Sequence, residues 1–186
     1  MTEPKAPHAR PGNGRFKLVL IMLVFLAPIV AAGLLTLSGW QPDGKGNGQP
    51  IVPQRSVADV RVDVAGQPWA WRDSEPRLTL VALPGPSCAA RCVATLGLMR
   101  NARIVLNRNA DRLRLLYLGE PPAGAAGVMG DYAAGSDAAN AFAEFRPTEP
   151  DSVAAVLVES NATALAWYPA GFDPNGLRKD LQKVIR

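Results

Sequence analysis

Histidine is almost missing from this sequence of 186 residues: its one copy, His8, lies in a charged tail. A folded domain downstream of it therefore holds no Ser/His/Asp triad, no Cys/His dyad and no histidine-rich metal site. Cysteine is nearly as scarce, with two copies, Cys88 and Cys92, so the only concentrated reactive chemistry sits at one place. The length excludes two full domains but allows one core of ordinary size plus an appendage. A hydrophobic share of 48% excludes a wholly disordered chain, while 17 glycines and 17 prolines require an appreciable share of loop or linker.

The formal charge of +4 invites a nucleic-acid reading until its position is examined. Residues 1–17 carry Lys5, Arg10, Arg15 and Lys17 against Glu3, four cations less one anion, which is +3 of that total. The remainder is nearly neutral, and no nucleic-acid partner is expected. Behind the basic tail, Leu18 to Leu37 reads LVLIMLVFLAPIVAAGLLTL, without a charge. As a helix it spans roughly 30 Å, the thickness of a bilayer's hydrocarbon. It exceeds the roughly 7 to 15 apolar residues of a cleavable signal peptide, so it reads as an uncleaved transmembrane helix. Pro28 falls mid-span, a position that membrane helices tolerate. The positive-inside rule keeps residues 1–17 in the cytoplasm and sends everything after Leu37 across, with Trp40 at the interface. The expected location is a bacterial inner membrane, single-pass, with a periplasmic C-terminal domain. Disulfides are permitted there.

Residues 38–54 are dense in glycine, proline and polar residues and read as a flexible linker, leaving 55–186 for the folded domain. Val60, Val62 and Val64 alternate, Gly66 turns, and Trp69 and Trp71 alternate again, which is a hairpin pattern; the two tryptophans are expected on opposite faces, with at most one in the core and the other available to a partner. Leu78 to Leu83 is a short apolar run expected of a strand buried on both faces, ended by Pro84, Gly85 and Pro86. A helix capped by Ser87 should occupy roughly Cys88 to Leu106, followed by a strand over Leu113 to Leu118. Ala123 to Ala134, rich in alanine and glycine, reads as loop, and Asp137 to Phe145 as a short helix. Val153 to Val158 and Thr163 to Tyr168 are too close for a crossover and should pair antiparallel. Pro174 to Arg186 closes the chain as an amphipathic helix. The order β-α-β-α-β-β-α with a mixed sheet and helices on both faces is a thioredoxin-like α/β arrangement.

Cys88 and Cys92 fall where the buried strand gives way to the helix. Exposed N–H groups at a helix start, the macrodipole and nearby Arg91 all favour thiolate, making Cys88 the expected nucleophile and Cys92 the resolving thiol. Two cysteines wholly inside a helix at this spacing hold their Cβ atoms roughly 5 to 6 Å apart, against roughly 3.8 Å in a disulfide. Cys88 is therefore expected just before regular helix. The residues alone leave open a stabilising disulfide or two packed thiols. Arg91, Arg100, Arg103, Arg108, Arg112 and Arg114 face only Asp111 within their stretch, which fits a solvated helix face better than a site for an acidic partner or lipid headgroups.

With its N-terminal span, Cys88-x-x-x-Cys92 after a buried strand, and closing hairpin and helix, the chain resembles the Sco/SenC-like family. These are membrane-tethered thioredoxin-fold factors of cytochrome c oxidase assembly. The resemblance covers most of residues 55–186. It implies copper ligation by the two cysteines and by a histidine shortly before the penultimate strand, but Glu149-Pro150-Asp151-Ser152 offers none there, and Val93 replaces the family's proline after the second cysteine. Two thiolates suit Cu(I), whereas a stable Cu(II) site ordinarily also wants nitrogen. Pro150 is expected either in the place where thioredoxin-like folds carry a proline, often cis, opposite the cysteines, or as an ordinary loop proline.

Three functions follow. The first is an assembly factor whose Cys88/Cys92 dithiol, acting as a thiol-disulfide oxidoreductase, reduces cysteines of an oxidase subunit or another assembly factor before copper insertion; it requires no cofactor. The second is a metallochaperone carrying Cu(I) on Cys88 and Cys92. The third is a catalytically silent membrane scaffold.

Overall fold

A computed structural model describes residues 14–37 and 46–185, which fall into two separate compact units, one N-terminal and one running from Lys45. The first contributes helix α1, Gly14–Leu37, which continues through Pro28. The apolar side chains described along it, such as Leu18, Met22, Phe25 and Ile29, are exposed. The side chains of residues 14–16, 32 and 35–37 lie outside the described set, and among the described residues no helix is long and apolar enough to cross a membrane. Residues 1–13 of the expected cytoplasmic tail, Trp40 and the first part of the expected linker also lie outside the described residues, whereas residues 14–17 belong to α1.

The second unit is one mixed sheet of eight strands: β1 (Gln49–Ser56), β2 (Asp63–Val64), β3 (Gln67–Pro68), β4 (Leu78–Pro84), β5 (Leu113–Leu118), β6 (Tyr132–Ser136), β7 (Val153–Val158) and β8 (Thr163–Tyr168). Across the sheet they run β1-β8-β7-β4-β5-β6-β2-β3. Central β4 is buried at every residue, as its unbroken apolar run requires. It pairs parallel with β5 and antiparallel with β7, in a register that sets Leu83 against Ala154 and Pro84 against Val153. The register fixes which loops meet beyond the end of β4.

Alternate residues of the central strands feed two cores. On one face Leu80, Leu115, Tyr117 and Leu157 meet Cys92, Leu96 and Met99 of α2 (Ala90–Ile104) and Leu177 and Leu181 of α4 (Pro174–Val184). On the other, Val81, Leu83, Leu116, Leu118 and Val156 meet Val57, Val62, Trp71 and Phe142. Both long helices thus pack on one face, which corrects the expectation of helices on both. The helix expected over Asp137 to Phe145 shrinks to a 3-10 turn at Ala143–Phe145. Asp137 accepts the Phe142 N–H, and Asn140 takes a positive φ of 51°, so the chain turns and drops Phe142 into the second core.

Two strands are additions to the expected order. Residues 123–134, expected as loop, hold the single turn α3 (Ala126–Met129) and the start of β6, which pairs parallel with β5. Its small residues carry no apolar pattern because β2 crosses close by: a Cβ on Gly135 would lie 2.9 Å from the Asp63 carbonyl and from Val62 and Val64 side-chain carbons. Gln49–Ser56, which takes in the last six residues of the stretch expected as linker, is edge strand β1 on β8. Pro50 and Pro53 disguise it, and an edge is where a strand tolerates proline. The expected hairpin is present but short, turning at Ala65 and Gly66, both with positive φ. Trp69 and Trp71 reach the same core, Trp71 buried within it and Trp69 half-buried beneath the Arg114 guanidinium, rather than opposite faces.

Asp180 of α4 fastens the start of this unit. Its carboxylate accepts the N–H groups of Asn47 and Gly48, the Asn47 side-chain amide and the Tyr168 hydroxyl. Burial pushes the Asp180 carboxyl up, but these donors outweigh it and hold the carboxyl below its usual range. Because the folded value is depressed, the stabilisation is full above the unfolded pKa and is lost as pH falls below about 4. Asp180→Ala should cost about 1 to 3 kcal/mol in urea unfolding at pH 7. The difference from the parent protein should shrink in acid.

Candidate functional site

β4 ends at Pro84, and the turn that follows is pinned from the side by the loop leading into β7. Gly85 donates its N–H to the Ser152 carbonyl (2.9 Å), and a Cβ on Gly85 would run into the Glu149 carbonyl oxygen. Only glycine lets the two loops approach this closely. Ser87 in turn accepts the Asp151 N–H at 2.8 Å. The next five residues, Cys88 to Cys92, therefore start from a backbone held at both edges.

Cys88 and Cys92 are joined in a disulfide with their Cα atoms 5.2 Å apart. Cys88 precedes α2, whose N-cap is Ala89 with extended φ of −119°, and Cys92 lies in the first turn. The expected break before regular helix is present, and the sulfurs meet because of it. The pair is asymmetric. Cys92 has 0% exposure and packs in the first core, whereas Cys88 is half-buried at the surface. An incoming group reaches the sulfur of Cys88 first. Beside it runs a groove of about 430 Å³ lined by Pro86, Ser87, Tyr117, Glu120, Pro122 and Arg146. The Arg146 guanidinium donates to the Pro84 and Leu118 carbonyls, tying the ends of β4 and β5 together.

Helix α2 does not use Ser87 as its cap, and Ala89 has no side chain able to serve. The role falls to Asp151. Its Oδ1 accepts the N–H groups of Ala89 (2.8 Å) and Cys92 (2.9 Å), and its Oδ2 accepts that of Arg91 (3.0 Å). Sequence reasoning missed this residue, since nothing in Thr-Glu-Pro-Asp-Ser indicates a helix start some sixty positions earlier. The Cys92 and Arg91 N–H bonds are the chief reasons the Asp151 carboxyl lies below its usual range; slight desolvation opposes them. Two parts of the expected thiolate support are thereby altered. The helix N–H groups already serve a carboxylate, and Arg91 reaches Asp151 (Nε to Oδ2, 3.6 Å) and the Pro150 carbonyl rather than a sulfur.

The other arginines of the 91–114 stretch are largely accounted for locally. Arg100 and Arg103 pair with Asp131, Arg103 also with Asp111, and Arg114 with Asp73. Pro150 lies beside the start of α2 as expected, though the cis peptide among the described residues is Val52–Pro53. Asn161 is explained by its turn, where it accepts the Thr163 N–H and donates to Glu159.

Among the described residues no group of three or more His, Cys, Asp or Glu is placed to hold a metal ion. The donor set decides what could fit. Two sulfurs suit soft Cu(I), whereas the nearest further donor, Asp151, is a hard oxygen ligand committed to three backbone N–H groups, so a nitrogen-completed Cu(II) site does not fit.

Burial orders the two thiols in reactivity. After reduction at pH 7, a Cys92→Ser variant should alkylate at Cys88 on the order of tenfold faster than a Cys88→Ser variant does at Cys92. Equal rates would remove the assignment of Cys88 as the outer sulfur.

Residues 78–186 match the model of a family described as transmembrane-like, thioredoxin-like, C-terminal domain. No curated protein matches the sequence. Among solved structures, apo Sco1 from Thermus thermophilus is similar at 12% identity and a TM-score of 0.51, over 75% of this chain and 96% of that one. Copper-bound ScoI from Bradyrhizobium japonicum aligns at 12% identity and 0.47, over 74% and 98%. BsSco, described as a Sco-family cytochrome c oxidase assembly protein with a disulfide switch, aligns at 10% and 0.46, over 77% and 98%. At these identities the likeness to Sco1 establishes a shared thioredoxin-like fold.

Proposed function

Because the chain belongs to the transmembrane-like, thioredoxin-like C-terminal domain family, we propose that it is a membrane-anchored thiol-disulfide exchange protein whose working group is the Cys88–Cys92 pair. The observation that carries this reading is the asymmetry of the disulfide: a half-exposed sulfur ahead of α2 bonded to a wholly buried one in its first turn. In the reduced protein the Cys88 thiolate attacks a partner disulfide, forming a mixed disulfide and expelling one partner thiolate. Cys92, as thiolate, then attacks the Cys88 sulfur and expels the second. The partner gains two electrons and two protons to become a dithiol, and Cys88–Cys92 becomes the disulfide. A separate dithiol donor must restore the reduced form.

We place the anchor at residues 18–37 on their sequence, which is uncharged behind a basic tail. This supports a single-pass protein of the bacterial inner membrane, its N-terminus cytoplasmic and the domain holding Cys88 periplasmic, joined by a short glycine-rich tether. The resemblance to oxidase assembly factors supports a cytochrome c oxidase subunit, or a second assembly factor, as the disulfide-bearing partner. In that setting the exchange prepares partner thiols to receive copper. Copper itself enters only as cargo: Cu(I) held by Cys88 and Cys92 is the second reading, favoured by the two soft sulfurs. A silent scaffold is the third.

One experiment in cells tests both anchor and chemistry. Full-length Cys92→Ser protein should accumulate as a mixed disulfide with a partner, in the membrane fraction, and protease added to intact spheroplasts should degrade its C-terminal domain. Cys88→Ser should trap several-fold less. No adduct with either variant would favour the scaffold, soluble protein would remove the anchor, and full protection from protease would reverse the topology.

A further inference from the structure

We propose that Asp151 is a positioning residue that biases the Cys88–Cys92 pair toward its disulfide form, so that the dithiol is a strong electron donor. The inference rests on the exchange reading and names the group that sets its direction.

A thiolate placed just before a helix is stabilised by free N–H groups of the first turn and by the positive end of the helix dipole. Here three of those groups, on Ala89, Arg91 and Cys92, already donate to one carboxylate. A thiolate at Cys88 therefore finds its donors engaged and meets a second negative charge next to the N–H of the following residue. The neutral disulfide is indifferent to both. The carboxylate accordingly penalises the reduced form when it ionises and leaves the oxidised form unchanged. In the donating direction the Cys88/Cys92 dithiol gives up two electrons and two protons to become the disulfide, and a partner disulfide takes them up to become a dithiol.

Asp151 is not free to swing away. Its own N–H is held by the Ser87 carbonyl, its backbone takes a positive φ of 52°, and neighbouring Ser152 accepts the Gly85 N–H and donates its hydroxyl to Glu149. The carboxylate is thus clamped to the same loop that carries Cys88. Among the described residues the cation paired with it is Arg91, whose side chain is 75% exposed and lies 3.6 Å away, so water and salt screen most of its compensation.

The test is the equilibrium of the full-length, detergent-solubilised protein with reduced and oxidised glutathione at about pH 9, where thiols ionise, read by two-step alkylation and mass spectrometry. Asp151→Asn keeps one oxygen able to accept the Ala89 and Cys92 N–H groups, and removes the charge together with the acceptor of the Arg91 N–H. It should lower the equilibrium constant for disulfide formation about tenfold, equivalent to a potential about 30 mV less negative. Arg91→Glu leaves Asp151 in place and adds negative charge at the same helix end, so it should raise that constant severalfold. Loss of helix capping alone would alter thermal stability and leave both constants where they were. A constant within twofold of the parent protein in both variants, or shifts of the opposite sign, would overturn the proposal while leaving the exchange reading intact. A parent protein that never equilibrates with glutathione would overturn both.

Discussion

The antiparallel register of β7 on β4 is the constraint from which the site follows. It sets Pro84 opposite Val153, so the loop ending in Ser152 must lie alongside the turn that begins at Gly85. Once there, the two segments lock through Gly85 to Ser152 and Asp151 to Ser87, and the Asp151 carboxylate arrives at the first turn of α2. Helix α2 has no cap of its own at Ala89. A register slip of one residue would exchange the two faces of β7, because side chains alternate along a strand, and would withdraw the carboxylate. The position of the disulfide, the start of the helix and the charge beside it thus share one origin in a pair of buried strands.

That origin also explains which parts of the molecule could be read from the sequence. β4, β5, β7 and β8 are visible because burial on the sheet demands uninterrupted apolar runs, and α4 because Leu177 and Leu181 recur one turn apart behind the Asp173 cap. β6 was hidden because its neighbours leave room only for alanine and glycine, and β1 because an edge strand can carry Pro50 and Pro53. At the site, the spacing of Cys88 and Cys92 sufficed to predict that the helix must begin after Cys88. Asp151 was beyond reach for a different reason: its role is a contact between residues some sixty positions apart, and helix capping has a sequence signature only when the cap is local.

The two sulfurs of the site differ in surroundings, and the proposed exchange function rests on that difference. Cys92 is enclosed by the core that α2 and β4 share, and Cys88 borders a groove open to a partner. A disulfide kept only for stability gains nothing from this inequality. Copper cargo on these sulfurs would find no imidazole among the described residues to complete its shell, and one of its two ligands would be the buried Cys92. The arginines of α2 and its surroundings, by contrast, are mostly engaged with Asp131, Asp73 and Asp151, and under the proposed exchange function the groove beside Cys88 is the surface a partner would meet.

The central claim is that Cys88–Cys92 cycles between disulfide and dithiol while the protein is at work. It is tested most directly by quenching living cells with acid and alkylating in two steps, before and after a brief pulse of dithiothreitol that is then washed out. The account predicts that both forms are present at steady state, that the pulse drives the pair wholly to dithiol, and that the original mixture returns after washing. A pair found fully oxidised before the pulse and unmoved by it would show a structural disulfide and contradict the account.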